Sequence, residues 1–96
     1  MDITGRKLFV KALQEEGVDT LFGYPGGTVT DLFDEVYKQD EIEIVLPRHE
    51  QGLLHEAEGY AKSTGKVGVC LEPCGPGATN LVTGLAAAHF DNVPLV

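Results

Sequence analysis

The segment "IEIVLPRHEQGLLHEAEGYAKSTGKVGVCLE", residues 42–72, decides the fold because its pattern is strand, helix, strand. Apolar runs at 42–47 and 66–72 predict two short strands. Between them a helix is predicted over 50–63, with Gly65 as its terminator. The apolar side of this helix is Leu53, Leu54, Ala57, Tyr60 and Ala61. Two strands joined by a helix of this length are typical of a parallel β-α-β unit.

The same alternation extends outward from this unit in both directions. "VDTLFG" (18–23) predicts a strand, and "VPLV" (93–96) begins another. Two helices flank the first strand, the earlier one capped by Thr4 and stopped by Gly17, and a charge-poor helix follows the turn in "GPGATNLVTGLAAAHF" (75–90). The apolar stripes are Leu8, Phe9, Ala12 and Leu13 in the first helix and Val29, Leu32, Phe33, Val36 and Tyr37 in the second. The predicted fold class is α/β, a parallel sheet with flanking helices.

The composition indicates one small globular unit that binds neither nucleic acid nor membrane. The chain has 96 residues, with 15 acidic against 7 basic side chains and a net charge of -8. Such acidity without a basic cluster argues against nucleic acid and anionic membranes. No apolar run reaches the roughly 18–20 residues of a membrane span, and the N-terminus lacks a signal-peptide pattern. We therefore expect a cytoplasmic protein.

The apolar run at the end of the chain predicts that residues 1–96 are the N-terminal part of a larger domain. A parallel strand is normally buried on both faces, and the run at 93–96 stops without its crossover. The charge-poor stretch 81–88 also predicts a helix covered by something outside the chain. The alternative is a complete minimal domain, which would bury only about 60–65% of its unfolded surface.

Three segments directly follow the predicted strands and point to one site. They are "GYPGG" (23–27), "PRHEQG" (47–52) and "PCGPGATN" (73–80). In open parallel sheets, ligands bind beyond the carboxyl ends of the strands. We therefore expect the three segments to converge on one rim of the sheet.

The two glycine turns, taken alone, are a weak signal for a ligand site, and the interpretation as simple turns is favoured. "GPGATN" (75–80) resembles a phosphate-binding loop because N–H groups at a helix start attract anions. Asn80 stands where the pattern G-x-G-x-x-G requires glycine, and no G-K-[ST] follows. The alternative is a tight turn in which Thr79 or Asn80 caps the helix. In "GYPGG", Gly26 and Gly27 permit close approach of a ligand or another chain, but a turn explains them as well.

Glu50 is the sharper candidate because it lies where a buried strand becomes a helix. A carboxylate there gains from the helix dipole. In a mostly apolar pocket it would instead exchange a proton or accept a strong hydrogen bond. Its apolar neighbours would raise its pKa, whereas pairing with Arg48 would lower it, and the sequence leaves both open. His49 and His55 lack H-E-x-x-H spacing and are interpreted as structural.

The two cysteines carry no strong functional signal. Cys70 and Cys74 are interpreted as small apolar residues near a strand end. A disulfide or a metal site is the alternative, but this spacing without a second Cys/His pair is a weak zinc pattern. No metal ligand is predicted in this chain.

Together and in this order, "LFGYPGG", "RHEQG", "GYAKSTGKVGV" and "GPGATN" resemble thiamine diphosphate enzymes of the acetolactate synthase type. The resemblance implies the first half of the N-terminal pyrimidine-binding domain of a three-domain enzyme, inactive as an isolated chain. The implied reaction is decarboxylation of pyruvate and condensation with a second 2-keto acid to give acetolactate, for branched-chain amino acid biosynthesis. The alternatives are a related 2-keto acid decarboxylase or acetyltransferase, and a non-catalytic binding module.

The resemblance also implies residue roles. Glu50 is the catalytic residue, because the family's glutamate bonds N1′ of the aminopyrimidine and favours the imino tautomer that removes the C2 proton. The other implied cofactor-binding residues are Tyr24, Pro25, Gly26, Gly27, Pro76 and Asn80. The diphosphate and Mg²⁺ would be held by the C-terminal domain of a partner subunit, so "GPGATN" would shape the pyrimidine pocket rather than bind phosphate.

The implied assembly is a homodimer or higher homo-oligomer with the site built across subunits. FAD and a regulatory subunit are further implied components of the full-length enzyme. Several positions depart from the family pattern: Leu53 and Leu54 replace small residues, Pro73-Cys74 replaces Thr-Ser, and Thr28 stands where Ala is common. Pro73 removes a backbone donor. We expect these departures to bear on substrate preference.

Overall fold

The computed structural model describes residues 2–96, and helices alternate with strands along it. The elements are α1 Gly5–Glu15, β1 Thr20–Gly23, α2 Thr30–Tyr37, β2 Glu43–Val45, α3 Glu50–Thr64, β3 Val69–Leu71, α4 Pro76–Thr79 and α5 Val82–Phe90. The predicted α/β class is confirmed. Within residues 2–96, no helix is both long enough and apolar enough to cross a membrane.

The three strands form a parallel sheet in the order β2-β1-β3. Leu21 in the central strand lies opposite Ile44 on one side and Val69 on the other. The chain leaves β1 toward β2 on one side, while β3 lies on the other. Ligands of such sheets bind where the connections diverge, beyond the carboxyl ends of the strands. Here that point is the crevice above β1 and β3.

The predicted fourth strand is reduced to one parallel bridge, between Gly68 and Leu95. Gly68 donates its N–H to Pro94 O at 3.0 Å, and Val96 donates to Gly68 O at 2.9 Å. Cys70 also donates its N–H to Val96 O at 2.8 Å. The apolar run at the chain end therefore lies beside β3 and continues the sheet on that side.

Alternating side chains of β1 divide the core into two clusters, one on each face of the sheet. Leu21 packs with Val10 of α1 and Val36 of α2. Phe22 packs on the other face, among three buried residues of α3. These are Leu53, Leu54 and Ala57. The sheet is therefore covered by α1 and α2 on one face and by α3, with α5 beside it, on the other.

The helix ends predicted from the sequence are confirmed. Thr4 Oγ1 accepts a hydrogen bond from the Lys7 N–H at the start of α1. His49 caps α3, because its Nδ1 accepts the Gln51 N–H at 3.0 Å. Gly65 ends α3 in the left-handed conformation, with φ of 77°. His49 is thus a structural histidine, as expected.

The apolar stripes of α1 and α2 were only partly right. In α1 the buried residue is Val10, whereas Leu8 is 58% exposed. In α2 Tyr37 is 72% exposed, and Glu35 is buried instead. Glu35 is accommodated because Arg6 and Lys38 form ion pairs with its carboxylate. Ion pairing therefore allows a charged residue to join the buried face of α2, which hydrophobicity alone does not indicate.

The single helix predicted after the glycine turn is also wrong, since it is split into α4 and α5. Asn80 ends α4 and donates its N–H to Gly77 O at 3.1 Å. Its side chain is engaged with another element, as described below. The break redirects the chain, so that Gly84 of α5 packs against Leu54 of α3, where a Cβ would lie 2.6 Å from Leu54 Cβ.

Candidate functional site

The segments that follow β1 and β3 meet at the carboxyl-end rim of the sheet. Tyr24 donates its N–H to Leu71 O at 3.0 Å, which extends the pairing of the two strands. Cys74 donates its N–H to Thr28 Oγ1 at 3.4 Å. Gly26 lies so close to Pro73 that a Cβ on the glycine would overlap the proline ring. The two glycine turns are therefore in direct contact.

Glu50 joins this rim from the third segment, as the first residue of α3. It is half-buried, and the Asn80 amide donates a hydrogen bond to its Oε1 at 3.0 Å. Its Oε2 points toward the glycine turn, since a Cβ on Gly77 would lie 3.7 Å away. Glu50 thus occupies a helix start and a rim position at once, and its role in a site stays a prediction.

The surroundings of Glu50 keep its carboxylate ionised. Its own backbone N–H and then the Asn80 amide lower the pKa of Glu50 below its usual value, and the charge of His49 adds to this. Desolvation acts in the opposite direction and is outweighed. Of the two directions left open by the sequence, lowering therefore prevails. Arg48 is not the cause, because within residues 2–96 it forms no ion pair.

A second carboxylate, which the sequence analysis did not single out, lies beside Glu50. Glu72 follows β3, and a Cβ on Gly77 would lie 3.1 Å from its Oε2. That oxygen is buried and has no hydrogen-bond partner within residues 2–96. Burial, and then the charge of Glu50, raise the pKa of Glu72. The only sequence signal was an acidic residue at the end of the apolar run "VGVCLE".

The other predicted site residues lie in the two glycine turns. Tyr24 is half-buried against the Phe22 cluster, whereas Pro25 is exposed. Gly27 has open space where a side chain would be. Pro76 is exposed at the first position of α4. The role of these residues as cofactor contacts stays a prediction.

The capping alternative for the "GPGATN" turn is wrong. The Thr79 hydroxyl donates to Pro76 O at 2.8 Å, within α4. The Asn80 side chain bonds Glu50 rather than a backbone N–H of α5. The residue before α5 is Leu81, which makes no side-chain capping bond. The turn therefore serves to connect Asn80 to Glu50.

The remaining features are a cavity at the other end of the sheet and the two cysteines. A cavity of about 350 Å³ at the amino end of the sheet is lined by seven residues. They include Val18, Tyr60 and Lys66. Cys70 and Cys74 are both free thiols, and burial raises the pKa of Cys70 to about 12. Within residues 2–96, no group of three or more His, Cys, Asp or Glu side chains is arranged to hold a metal ion.

Comparisons with known proteins identify the family of the chain. The family model described as "Thiamine pyrophosphate enzyme, N-terminal TPP binding domain" matches residues 3–96. Acetolactate synthase of Arthrospira platensis is 54% identical over 97 residues, which cover 98% of this chain and 17% of that protein. The acetolactate synthase large subunit of Lactococcus lactis subsp. lactis is 54% identical over 93 residues, or 97% of this chain and 16% of that protein. The mitochondrial acetolactate synthase catalytic subunit of Saccharomyces cerevisiae is 48% identical over 94 residues, or 98% of this chain and 14% of that protein.

The resemblance inferred from the four sequence motifs is therefore confirmed at the level of the family. The chain spans 14–17% of the length of these three curated relatives. The match extends over nearly all of the chain. This chain belongs to the thiamine pyrophosphate enzymes, as an N-terminal TPP binding domain.

Proposed function

We propose that the rim above β1 and β3 binds the aminopyrimidine of thiamine diphosphate. The premise of this proposal is that the chain belongs to the thiamine pyrophosphate enzymes. We further propose that the chain serves in an acetolactate synthase, which condenses two 2-keto acids after decarboxylation of pyruvate. The relatives that carry the name acetolactate synthase support this assignment. The single observation that carries it is the carboxylate of Glu50 at the rim, with its Oε1 bonded by the Asn80 amide at 3.0 Å.

The residues present fit an aminopyrimidine. A ring nitrogen that carries or receives a proton needs a fixed acceptor, and Asn80 fixes Glu50 Oε1 at 3.0 Å. The absence of a side chain on Gly77 leaves room in front of Glu50 Oε2. Gly27 likewise leaves open space on the facing turn. A flat heterocycle can therefore approach the backbone of both turns.

In this proposal the cofactor supplies the carbon nucleophile and the electron sink, and the protein supplies position and electrostatics. Glu50 holds a proton at ring atom N1′. Asn80 keeps the carboxylate oriented and ionised, because its amide donates to the charged form. The packed contact between Gly26 and Pro73 keeps the two turns at a fixed separation. Such preorganisation strengthens a charge-assisted hydrogen bond at the reacting ring.

The rest of the proposed assembly follows the family resemblance. We assign the diphosphate and Mg²⁺ to a C-terminal domain of a partner subunit, in a homodimer or higher homo-oligomer located in the cytoplasm. FAD and a regulatory subunit are proposed components of the full-length enzyme. The exposed apolar side chains of α5 support packing against further protein. They are Val82, Leu85 and Phe90, the last 82% exposed.

A second candidate is a related 2-keto acid decarboxylase or acetyltransferase. It is favoured by the departures from the family pattern at the rim, which touch residues of the facing turn. Thr28 accepts the Cys74 N–H, and Pro73 packs on Gly26. A changed rim would alter the shape offered to the acceptor substrate. Analysis of the products formed from pyruvate by the full-length protein distinguishes the two candidates.

The experiment that tests the assignment is hydrogen–deuterium exchange at cofactor C2 in the full-length protein. Glu50→Gln keeps the shape of the side chain but removes the carboxylate. We expect exchange to slow by at least about 100-fold, the usual contribution of a positioned acid–base group. Glu56→Gln is the matched control, since Glu56 lies on the exposed side of the same helix. Unchanged exchange in Glu50→Gln would refute the role of Glu50.

A further inference from the structure

Glu72 and Glu50 present their carboxylates to the same small space above Gly77. The Oε2 atoms of Glu72 and Glu50 lie 3.1 and 3.7 Å from the position that a Cβ on Gly77 would occupy. Glu50 enters this space from the start of α3, and Glu72 enters it from the end of β3. The missing side chain of Gly77 is therefore what allows the two acids to converge.

The carboxylates of Glu50 and Glu72 differ in their hydrogen-bond partners. Glu50 Oε1 accepts a hydrogen bond from the Asn80 amide. Glu72 Oε2 is buried and has no partner within residues 2–96. A buried polar atom without a partner is uncommon in a native protein and calls for an explanation. Glu72 Oε2 and Glu50 Oε2 would form a hydrogen bond with each other if one proton lay between the two carboxyl groups.

No cation within residues 2–96 offsets the charge of Glu72. The ion pairs of the described chain do not include it. The charged groups that act on the pair are Glu50, which raises the pKa of Glu72, and His49, which lowers the pKa of Glu50. Burial, and then the charge of Glu72, raise the pKa of Cys70. Helix α4 brings no charged side chain, since its sequence is PGAT. Two neighbouring carboxylates in this setting cannot both be ionised cheaply, because like charges disfavour each other.

We propose that Glu72 is a positioning residue that shares one proton with Glu50, so that the pair carries a single negative charge when the pyrimidine ring covers it. This inference rests on the proposed function of the rim. The proton is taken from solvent when the ring binds and removes water from the space above Gly77. The Glu72 carboxyl then donates a hydrogen bond to Glu50, whose other oxygen stays bound to Asn80.

The raised pKa of Glu72 and the lowered pKa of Glu50 agree with this division of roles, in which Glu72 keeps the proton and Glu50 the charge. The macroscopic titration belongs to the pair rather than to either residue. Raising the pKa of a group on binding means that binding takes up protons. The inference therefore has a measurable signature that does not depend on turnover.

The test is the number of protons taken up when thiamine diphosphate with Mg²⁺ binds the full-length protein. It is measured by titration calorimetry at about pH 6, above the ordinary glutamate pKa of about 4.3, in two buffers of different ionisation enthalpy. We compare the native protein with Glu72→Gln, which preserves shape and can still donate a hydrogen bond. Protonation of the ring nitrogen contributes equally to both proteins and cancels in the difference. Glu56→Gln removes the same charge from a residue that does not face Glu50.

We expect the native protein and Glu56→Gln to take up at least about 0.3 proton more per site than Glu72→Gln, approaching about one. An infrared band of a protonated carboxylic acid, present in the cofactor-bound native protein and lost in Glu72→Gln, is the second expected result. Equal proton uptake in native protein and Glu72→Gln would overturn the inference and leave the role of Glu50 intact. Unchanged C2 exchange in Glu50→Gln would instead remove the proposed function.

Discussion

Asn80 Nδ2 donates a hydrogen bond to Glu50 Oε1 at 3.0 Å, which links the residue that ends α4 to the residue that begins α3. Thirty residues separate the two along the chain. The bond holds the glycine turn after β3 against the start of the helix that crosses the sheet. It also contributes to the lowered pKa of Glu50. The position of Glu50 on the rim therefore depends in part on one amide.

Replacing Asn80 tests this dependence. In Asn80→Ala we expect the pKa of Glu50 to rise and cofactor affinity to fall by about tenfold or more, since a hydrogen bond to a charged group is lost. Asn80→Asp should bind more weakly still, because it replaces a donor with a second negative charge. Dissociation constants of the full-length protein, measured by titration calorimetry, check the order. Native-like affinity in Asn80→Asp would contradict it.

The packing of α5 on α3 gives a prediction about stability. In Gly84→Ala the new methyl would lie 2.6 Å from Leu54 Cβ. We expect a loss of about 1–3 kcal/mol in the free energy of unfolding, as for other overpacked contacts. The control is Gly59→Ala on α3, where nothing lies within 4 Å. That change should stabilise by about 0.5–1 kcal/mol, because glycine disfavours helix interiors. Denaturant unfolding measures the free energy of unfolding of both variants. Equal values for Gly84→Ala and Gly59→Ala would contradict the contact between Gly84 and Leu54.

The contact between the two turns gives a second prediction about stability. Gly26→Ala should destabilise by about 1–3 kcal/mol, because its methyl would overlap Pro73. Adding Pro73→Ala should recover part of the lost free energy of unfolding, since it removes the ring that the new methyl would overlap. Gly27→Ala, with open space at its Cβ, should leave the free energy of unfolding within about 0.5 kcal/mol of native. Thermal unfolding of the three variants checks the pattern, and an unrescued double variant would contradict it.

The amino end of the sheet gives a prediction about pH. Lys66 donates to Asp19 Oδ2 at 2.7 Å and Tyr60 donates to Oδ1, and these bonds, that of Lys66 foremost, lower the pKa of Asp19. A carboxyl group whose pKa is lower in the folded state stabilises the fold when the pH is above its unfolded-state pKa of about 3.9. This stabilisation is lost as the pH falls below that pKa toward the folded-state pKa. Asp19→Asn should therefore lower the melting temperature at neutral pH and flatten its decline in acid. Asp2→Asn is the control, and an unaltered acid decline in Asp19→Asn would refute the contribution.

The sequence predicted most of the fold because helix ends and strand runs are encoded locally. Gly65 and Thr4 mark ends that the structure confirms, since a left-handed residue and a capping hydroxyl act within one turn. The buried face of α2 was harder to predict. Glu35 is buried through its pairing with Arg6, a residue of another helix, and no local pattern reports such a contact.

The candidate site was predicted only in part, for the same reason. Glu50 could be singled out because it lies at a strand-to-helix junction. Its partner Asn80 was named both as an implied cofactor contact and as a possible cap, but its bond to Glu50 was not predicted, because the two residues lie thirty positions apart and meet only in the folded chain. Glu72 was missed because its significance depends on Gly77, which the chain brings to it only after folding.

The contact between the two glycine turns also constrains how the sequence of this rim can evolve. Gly26 has room only for the Pro73 ring against it, and Thr28 supplies the oxygen that receives the Cys74 N–H. A graft that exchanges one turn for that of a relative, while leaving the other in place, should misfit. The two loops are therefore expected to be inherited as a unit, and a chimera should tolerate their transplantation only when both are moved together.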